Sequence, residues 1–212
     1  MRKLILGLTL ACASLAGTTA IAAPSIQAGV EYQVLKNKVP VADESKIEVV
    51  EMFWYGCPHC NQLEPFVTNW QKNLPEDVKL VRVPAMFGGV WDIHGQLFLT
   101  LEALKVDSQL HSKVFDAIHK ERRQLKDYTD IEKFIVEIGV DKDKFSKMWN
   151  SFAIKGQMDK ARKLALAYQV QGVPVMVVDG QYLFDIGTAG GLQETTQVAD
   201  QLIDMVRTAK AK

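Results

Sequence analysis

Two cysteines three positions apart, Cys57 and Cys60, enclose Pro58 and His59. Three chemistries use such a spacing: reversible dithiol–disulfide exchange, half of a zinc site, or an inert structural link. Zinc takes about four ligands. No second cysteine pair exists, and His94, His111 and His119 fall in a stretch that reads as helical. As a structural link the pair would close so short a loop that it would add little stability. Redox exchange is the strongest of the three, because of where the pair stands.

The residues ahead of the pair, Ile47 to Tyr55, are β-branched and aromatic and read as a strand. Alternation puts Ile47, Val49, Glu51, Phe53 and Tyr55 on one face, and Glu48, Val50, Met52 and Trp54 on the other. Apolar residues on both faces indicate a central strand. Gly56 breaks it, and a helix is expected from Cys57 to about Asn73. Pro58 suits the first helical position, where a missing N–H is harmless; Pro65 should kink the helix. A thiol in the first turn lies in the field of free N–H groups and the helix dipole, which favour an anion. Cys57 should therefore have a depressed pKa. Cys60, one turn deeper, should be buried and less acidic. His59 adds a positive charge or an N–H donor beside the Cys57 sulfur. A stabilised Cys57 thiolate stabilises the dithiol form, so the disulfide is an oxidant.

Two carboxylates lie nearby in sequence. Glu51, if buried on its strand face, should have a raised pKa. It would either exchange a proton with Cys60 and tune the pair, or simply pair with a lysine. Glu64, four residues after Cys60, shares the helix face of the cysteines and reads as a solvated helix charge.

Gly172-Val173-Pro174 precedes a second strong strand, Val175 to Val178. Proline is tolerated at a strand start. A trans bond would merely open the strand; a cis Val173-Pro174 bond would turn the Val173 backbone toward a ligand.

The remaining elements give an order β-βαβ, a helical block, then ββα. Tyr32 to Leu35 reads as an edge strand and Val78 to Val83 as the partner of the first strong strand. Apolar stripes at helical spacing are Leu97, Phe98, Leu101; Leu110, Val114, Ala117, Ile118; and Ile131, Phe134, Ile135, Ile138. Thr129-Asp130-Ile131-Glu132 reads as a capping box and Gly139 as a stop. A short helix over Asp141 to Asn150 and a longer one over Lys155 to Tyr168 follow. Asp179-Gly180 signals a hairpin into Gln181 to Phe184, and Leu192 to Arg207 closes the chain as a helix. The division is 23–88 and 166–212 for the two halves of an α/β sheet domain, with 89–165 as an inserted helical subdomain.

The chain has 212 residues with 25 Lys and Arg against 25 Asp and Glu, which removes any global electrostatic case for nucleic acid. Its balance, 48% hydrophobic and 24% charged, is that of a globular protein. Met1-Arg2-Lys3, the apolar run from Leu4 to about Gly17, and Ala20-Ile21-Ala22 form a secretory signal pattern over 1–22, with cleavage after Ala22. The other readings are an uncleaved anchor, which Gly, Thr, Ser and Pro24 argue against, and acylation at Cys12, which comes too early in the run. Cleavage leaves a mature chain near −2 whose only cysteines are Cys57 and Cys60. Export places them in an oxidising compartment.

With these residues in view, the sequence resembles the DsbA family of bacterial periplasmic thiol:disulfide oxidases. The likeness rests on Glu51, Phe53, Cys57-Pro58-His59-Cys60, Glu64, Gly172-Val173-Pro174 and Trp149-Asn150-Ser151-Phe152, and it covers essentially the whole mature chain. Arg82 stands near where the family carries a buried lysine. The resemblance implies a thioredoxin-like fold with an inserted helical subdomain, Cys57 as the attacked sulfur, and a cis Val173-Pro174 bond facing the cysteines. It implies that Val173 offers backbone hydrogen bonds to an extended substrate, a form of strand addition. The expected function is periplasmic oxidation of exported protein thiols through a mixed disulfide at Cys57, with Cys60 as resolver and Pro58, His59 and Glu51 tuning the pair. Reoxidation by a DsbB-like quinone-linked membrane partner is implied. No metal or bound cofactor is called for, and a monomer is expected. An isomerase or reductase on the same fold is the rival, and a binding module with incidental cysteines the more distant one. His59 argues against the reductase.

Overall fold

The computed structural model describes residues 26–211. Residues 1–22, expected from sequence to be an export signal, and Cys12 among them lie outside the described residues. Among those described, no helix is long and apolar enough to cross a membrane.

The sheet has five strands: β1 (Gln33–Val34), β2 (Ile47–Phe53), β3 (Val78–Pro84), β4 (Val175–Val178) and β5 (Tyr182–Phe184). Their order is β1-β5-β4-β2-β3. The β2–β3 pair is parallel and the other pairs are antiparallel. All seven residues of β2 are buried, as a strand with neighbours on both edges and layers on both faces requires. Alternation along β2 holds. Ile47 and Val49 pack with Val198, Ala199 and Leu202, while Val50 and Met52 pack with Ala161, Ala165 and Tyr168.

Helix α1 (Pro58–Gln71) joins β2 to β3 and runs through Pro65. Between β3 and β4 come α2 (Val90–Ala103), α3 (Asp107–His119), α4 (Tyr128–Glu137), α5 (Lys142–Trp149) and α6 (Phe152–Ala167). After β5 come the short α7 (Ile186–Ala189) and α8 (Leu192–Lys210). The stripes of α2 to α4 close on one another around Leu97, Leu101, Val114, Ile131 and Ile135. That cluster also takes in Phe53, Tyr55, Cys57 and Cys60. The cysteines thus sit where the helical core meets the end of the sheet.

Several boundaries differ from the sequence reading for identifiable reasons. Helix α4 is capped by Asp127, whose carboxylate accepts from the Asp130 N–H at 3.0 Å, so Thr129 lies inside the helix rather than at its cap. Helix α6 begins at Phe152, not Lys155, because Ser151 Oγ caps the Ile154 N–H. Helix α7 is absent from the sequence reading; a capping box between Asp185 and Thr188 holds this single turn. Asp179 and Gly180, at φ 50° and 68°, form the turn of the β4–β5 hairpin. The turn closes by Gln181 N–H to Val178 O at 3.1 Å, and pairing resumes at Tyr182, one residue later than expected.

Candidate active site

Strand β2 ends at Phe53, and its carbonyls are then met one by one. Phe53 O accepts from Ala85 N–H at 2.8 Å and Trp54 O from Cys57 N–H at 3.0 Å. The second bond closes a turn that delivers Cys57 to the N-cap of α1, with Pro58 as the first helical residue. Cys57 is thus one position outside the first turn where the sequence placed it. There its Sγ accepts the Cys60 N–H at 3.4 Å, as an N-cap side chain does.

The two thiols are free and unlike. Cys57 is 7% exposed and Cys60 0%. A hydrogen bond from the Cys60 thiol, followed by the Cys60 and His59 N–H groups and the His59 charge, brings the Cys57 pKa down to about 6 against the opposing effect of burial. The sequence reading emphasised the helix terminus and His59. In the structure the Cys60 thiol contributes most and the His59 charge least. His59 is exposed, its Nδ1 3.4 Å from Gln62 Oε1. Burial, then the bond to Cys57, pushes the Cys60 thiol far up, and the Glu51 charge adds to this.

Across from Cys57, the Val173-Pro174 bond is cis. Cys57 Sγ–H donates to Val173 O at 3.4 Å, so two sites 116 residues apart in sequence meet. Beside them opens a groove of about 810 Å³ lined by His59, Tyr168, Val173, Pro174, Leu183 and Ile186 among others.

Beneath the pair lies a buried polar chain. Glu51, 2% exposed, accepts from Arg82 Nε at 3.1 Å. The same guanidinium reaches Glu64 Oε2 at 3.3 Å, Thr68 Oγ1 at 3.1 Å and Gln71 Oε1 at 2.9 Å. Burial raises the Glu51 pKa to about 7, Arg82 opposing and Glu64 adding. The partner of Glu51 is an arginine, not the lysine considered from sequence. Glu64 is not a solvated charge: it is 7% exposed and contacts Arg82, Thr68 and His111. Although burial opposes its charge, His111, Arg82 and Thr68 together hold its pKa below the usual value. The reason is tertiary. Helix α3 packs against α1 and brings His111 to Glu64, and Arg82 reaches the same face from β3, so the face shared with the cysteines looks into the protein.

Comparison with known proteins fits this site. Residues 48–202 match the DSBA-like thioredoxin domain family. The chain belongs to the DsbA family. It is 55% identical to the thiol:disulfide interchange protein DsbA of Pseudomonas aeruginosa over 212 residues, 100% of each chain. It is 55% identical to that of Azotobacter vinelandii, covering 99% of this chain and 100% of the relative. The crystal structure of Pseudomonas aeruginosa DsbA superposes with a TM-score of 0.86 at 56% identity, over 88% of this chain and 97% of that one. DsbA from Xylella fastidiosa gives 0.80 at 30% identity, over 86% and 98%. The DsbA-family fold is the thioredoxin-like α/β fold expected from sequence, and the activity is that of a periplasmic thiol:disulfide oxidase.

Within this DsbA-family fold, the sequence reading did not single out Tyr55, His111 or His119 as parts of the site. Tyr55 read as the last residue of a strand, and the histidines only as conceivable metal ligands. The signal in sequence was faint: His111, Phe115 and His119 recur every four positions, one face of a helix.

Proposed function

We propose that Cys57 and Cys60 carry the oxidase reaction by thiol–disulfide exchange. A substrate thiolate attacks Cys57 Sγ of the disulfide. A substrate–Cys57 bond forms, the Cys57–Cys60 bond breaks, and its electron pair leaves on Cys60. That sulfur takes a proton, which Glu51, titrating near neutrality and acting on Cys60, is suited to give. A second substrate thiolate then attacks the substrate sulfur of the mixed disulfide and expels Cys57 as a thiolate. The substrate loses two electrons and the protein gains them.

The observation that carries this reading is the unequal placement of the two thiols, Cys57 capping α1 and Cys60 wholly buried behind it, which displaces their acidities in opposite directions. A leaving thiolate of low pKa departs faster and stabilises the dithiol protein, so the disulfide is readily donated. Pro58 shapes the helix start and His59 adds its charge. Val173 and Pro174 form the wall that an extended substrate meets, its backbone pairing with Val173 and its side chains entering the adjoining groove. Breadth of substrate follows from recognition that is mostly main-chain.

The substrates are the thiols of exported proteins, and a DsbB-like quinone-linked membrane oxidase restores the disulfide. The protein acts as a monomer, released after Ala22, with residues 89–165 as the inserted subdomain. Equilibration of the mature protein with glutathione redox buffers tests the reading. The pair should stay reduced until the buffer is strongly oxidising. A pair already oxidised in strongly reducing buffers would favour a reductase instead.

A further inference from the structure

Tyr55, two residues before Cys57, is held at both ends by α3. Its hydroxyl lies 2.9 Å from His111 Nδ1, and its backbone carbonyl accepts from His119 Nε2 at 2.8 Å. Phe115 sits between the two histidines on the helix, its ring centroid 5.0 Å from that of Tyr55. Tyr55 and His111 are buried, at 1% and 5% exposure.

The polar bookkeeping fixes the protons. His119 must carry its proton on Nε2 to serve a carbonyl. Burial lowers the His111 pKa against the opposing pull of Glu64, which favours the neutral ring. A neutral ring receives the Tyr55 O–H on Nδ1 and presents Nε2–H to Glu64 Oε2, 3.3 Å away. That contact falls short of a full hydrogen bond, and His111 Nε2 has no hydrogen-bond partner among the described residues. The charged groups facing this site are Glu64 from α1, Arg82 from β3, Glu102 from α2 and Asp107 from α3 itself.

Of the carbonyls from Phe53 to Tyr55, only that of Tyr55 is met by a side chain. It also lies within the turn, closed by Cys57 N–H to Trp54 O, that carries Cys57. We propose that His111 and His119 are positioning residues for Cys57: from α3 they clamp Tyr55 and so fix the turn in which the Cys57 sulfur receives the Cys60 N–H. Neither touches the reacting sulfur. Their effect passes through Tyr55 and the geometry of one long hydrogen bond, 3.4 Å from Cys60 N to Cys57 Sγ, which a small shift of the turn weakens. The clamp ties the acidity of Cys57 to a helix that the chain reaches only after β3. The inference rests on Cys57 being the attacking sulfur.

The test compares His119→Leu, His119→Gln and Tyr55→Phe in the mature protein. Thiolate absorbance gives the Cys57 midpoint, glutathione equilibration the potential, and urea unfolding the stability. His119→Leu should raise the Cys57 midpoint by about one pH unit, the scale of one weakened hydrogen bond to a charged acceptor, and make the pair less oxidising. His119→Gln, which keeps an N–H for the Tyr55 carbonyl, should return both toward wild type. Tyr55→Phe, which releases His111 without opening a cavity, should shift both in the same direction as His119→Leu. If His119→Leu does not fold, Tyr55→Phe and His119→Gln still decide. Variants that lose stability with midpoint and potential unmoved would make the histidines structural only and overturn the proposal. Wild type measured alongside separates the two readings. A wild type that is not an oxidant defeats the oxidase mechanism, whereas an oxidising wild type with unshifted variants defeats the clamp alone.

Discussion

Glu51 and Arg82 are register partners on the parallel strands β2 and β3, and Arg82 Nε lies 3.1 Å from Glu51 Oε2. The pairing puts one cation between two buried carboxylates, since the same guanidinium also meets Glu64. One charge is left over, and Glu51 is the carboxyl that takes up a proton near neutrality.

This makes stability depend on pH. Glu51 has a folded pKa of about 7 against 4.5 when free, through burial first, Glu64 adding and Arg82 opposing. Between those values the folded state keeps a proton that the unfolded state has released. The contribution is therefore full below 4.5 and is lost as pH rises through about 7, by about 3 kcal/mol in all. Urea unfolding across this window should show the decline in wild type and its disappearance in Glu51→Gln. A flat wild-type profile would contradict the assignment.

Arg82→Met should be much harsher than Glu51→Gln. It leaves two buried carboxylates without their shared cation, at a cost of about 3 to 5 kcal/mol. Arg82→Lys should recover part of this but not both contacts, because an ammonium lacks the planar fork. Urea midpoints of the three variants at one pH give the order.

The acidity of Cys57 can be dissected by absorbance of the thiolate. Cys60→Ala removes the largest contribution and should raise the midpoint from about 6 more than His59→Ala does, since the His59 charge contributes least. Because the folded pKa is depressed from 9.0, the thiolate adds stability to the dithiol protein that is present above 9.0 and lost as pH falls through about 6. A larger effect from His59→Ala would reverse the order of causes.

Cys60→Ser should accumulate a covalent complex with a disulfide-containing peptide, because the mixed disulfide at Cys57 loses its internal resolver. Cys57→Ser should not. Cys60 is fully buried and its thiol is held far above the usual range by that burial and by the bond to Cys57. Mass spectrometry without reductant distinguishes the two; a comparable complex from Cys57→Ser would contradict the assigned roles.

Gly56→Ala probes the turn itself. A β-carbon at this position would overlap the Trp54 ring. That ring is stacked on Trp91 at 4.0 Å and cannot easily withdraw. A loss of about 1 to 3 kcal/mol in urea unfolding is expected, with a slower oxidase rate because the turn delivers Cys57.

The residues around the cysteine pair were legible one by one because their meaning is local. A β-branched run, a glycine, a cysteine and a proline in that order dictate strand, break, cap and helix start. The alternation in β2 predicted both core faces, and Asp179-Gly180 predicted its turn. The cap of α4 was misplaced because Asp127 and Thr129 both offer a capping oxygen and only the backbone path chooses.

What the sequence determined by itself was the chemistry and the scaffold: a C-x-x-C pair at a helix start, a later Val-Pro, and helical stripes between two sheet halves. The tertiary structure alone decided which distant groups reach that pair. Val173 meets Cys57 across 116 positions, and Glu64 turns from a surface charge into a buried partner of Arg82. Tyr55 gains its two histidines only when α3 docks. Strand and helix signals act over one or two turns of chain. Burial, ion pairing and side-chain caps depend on which elements pack together, and that packing is set by the whole core.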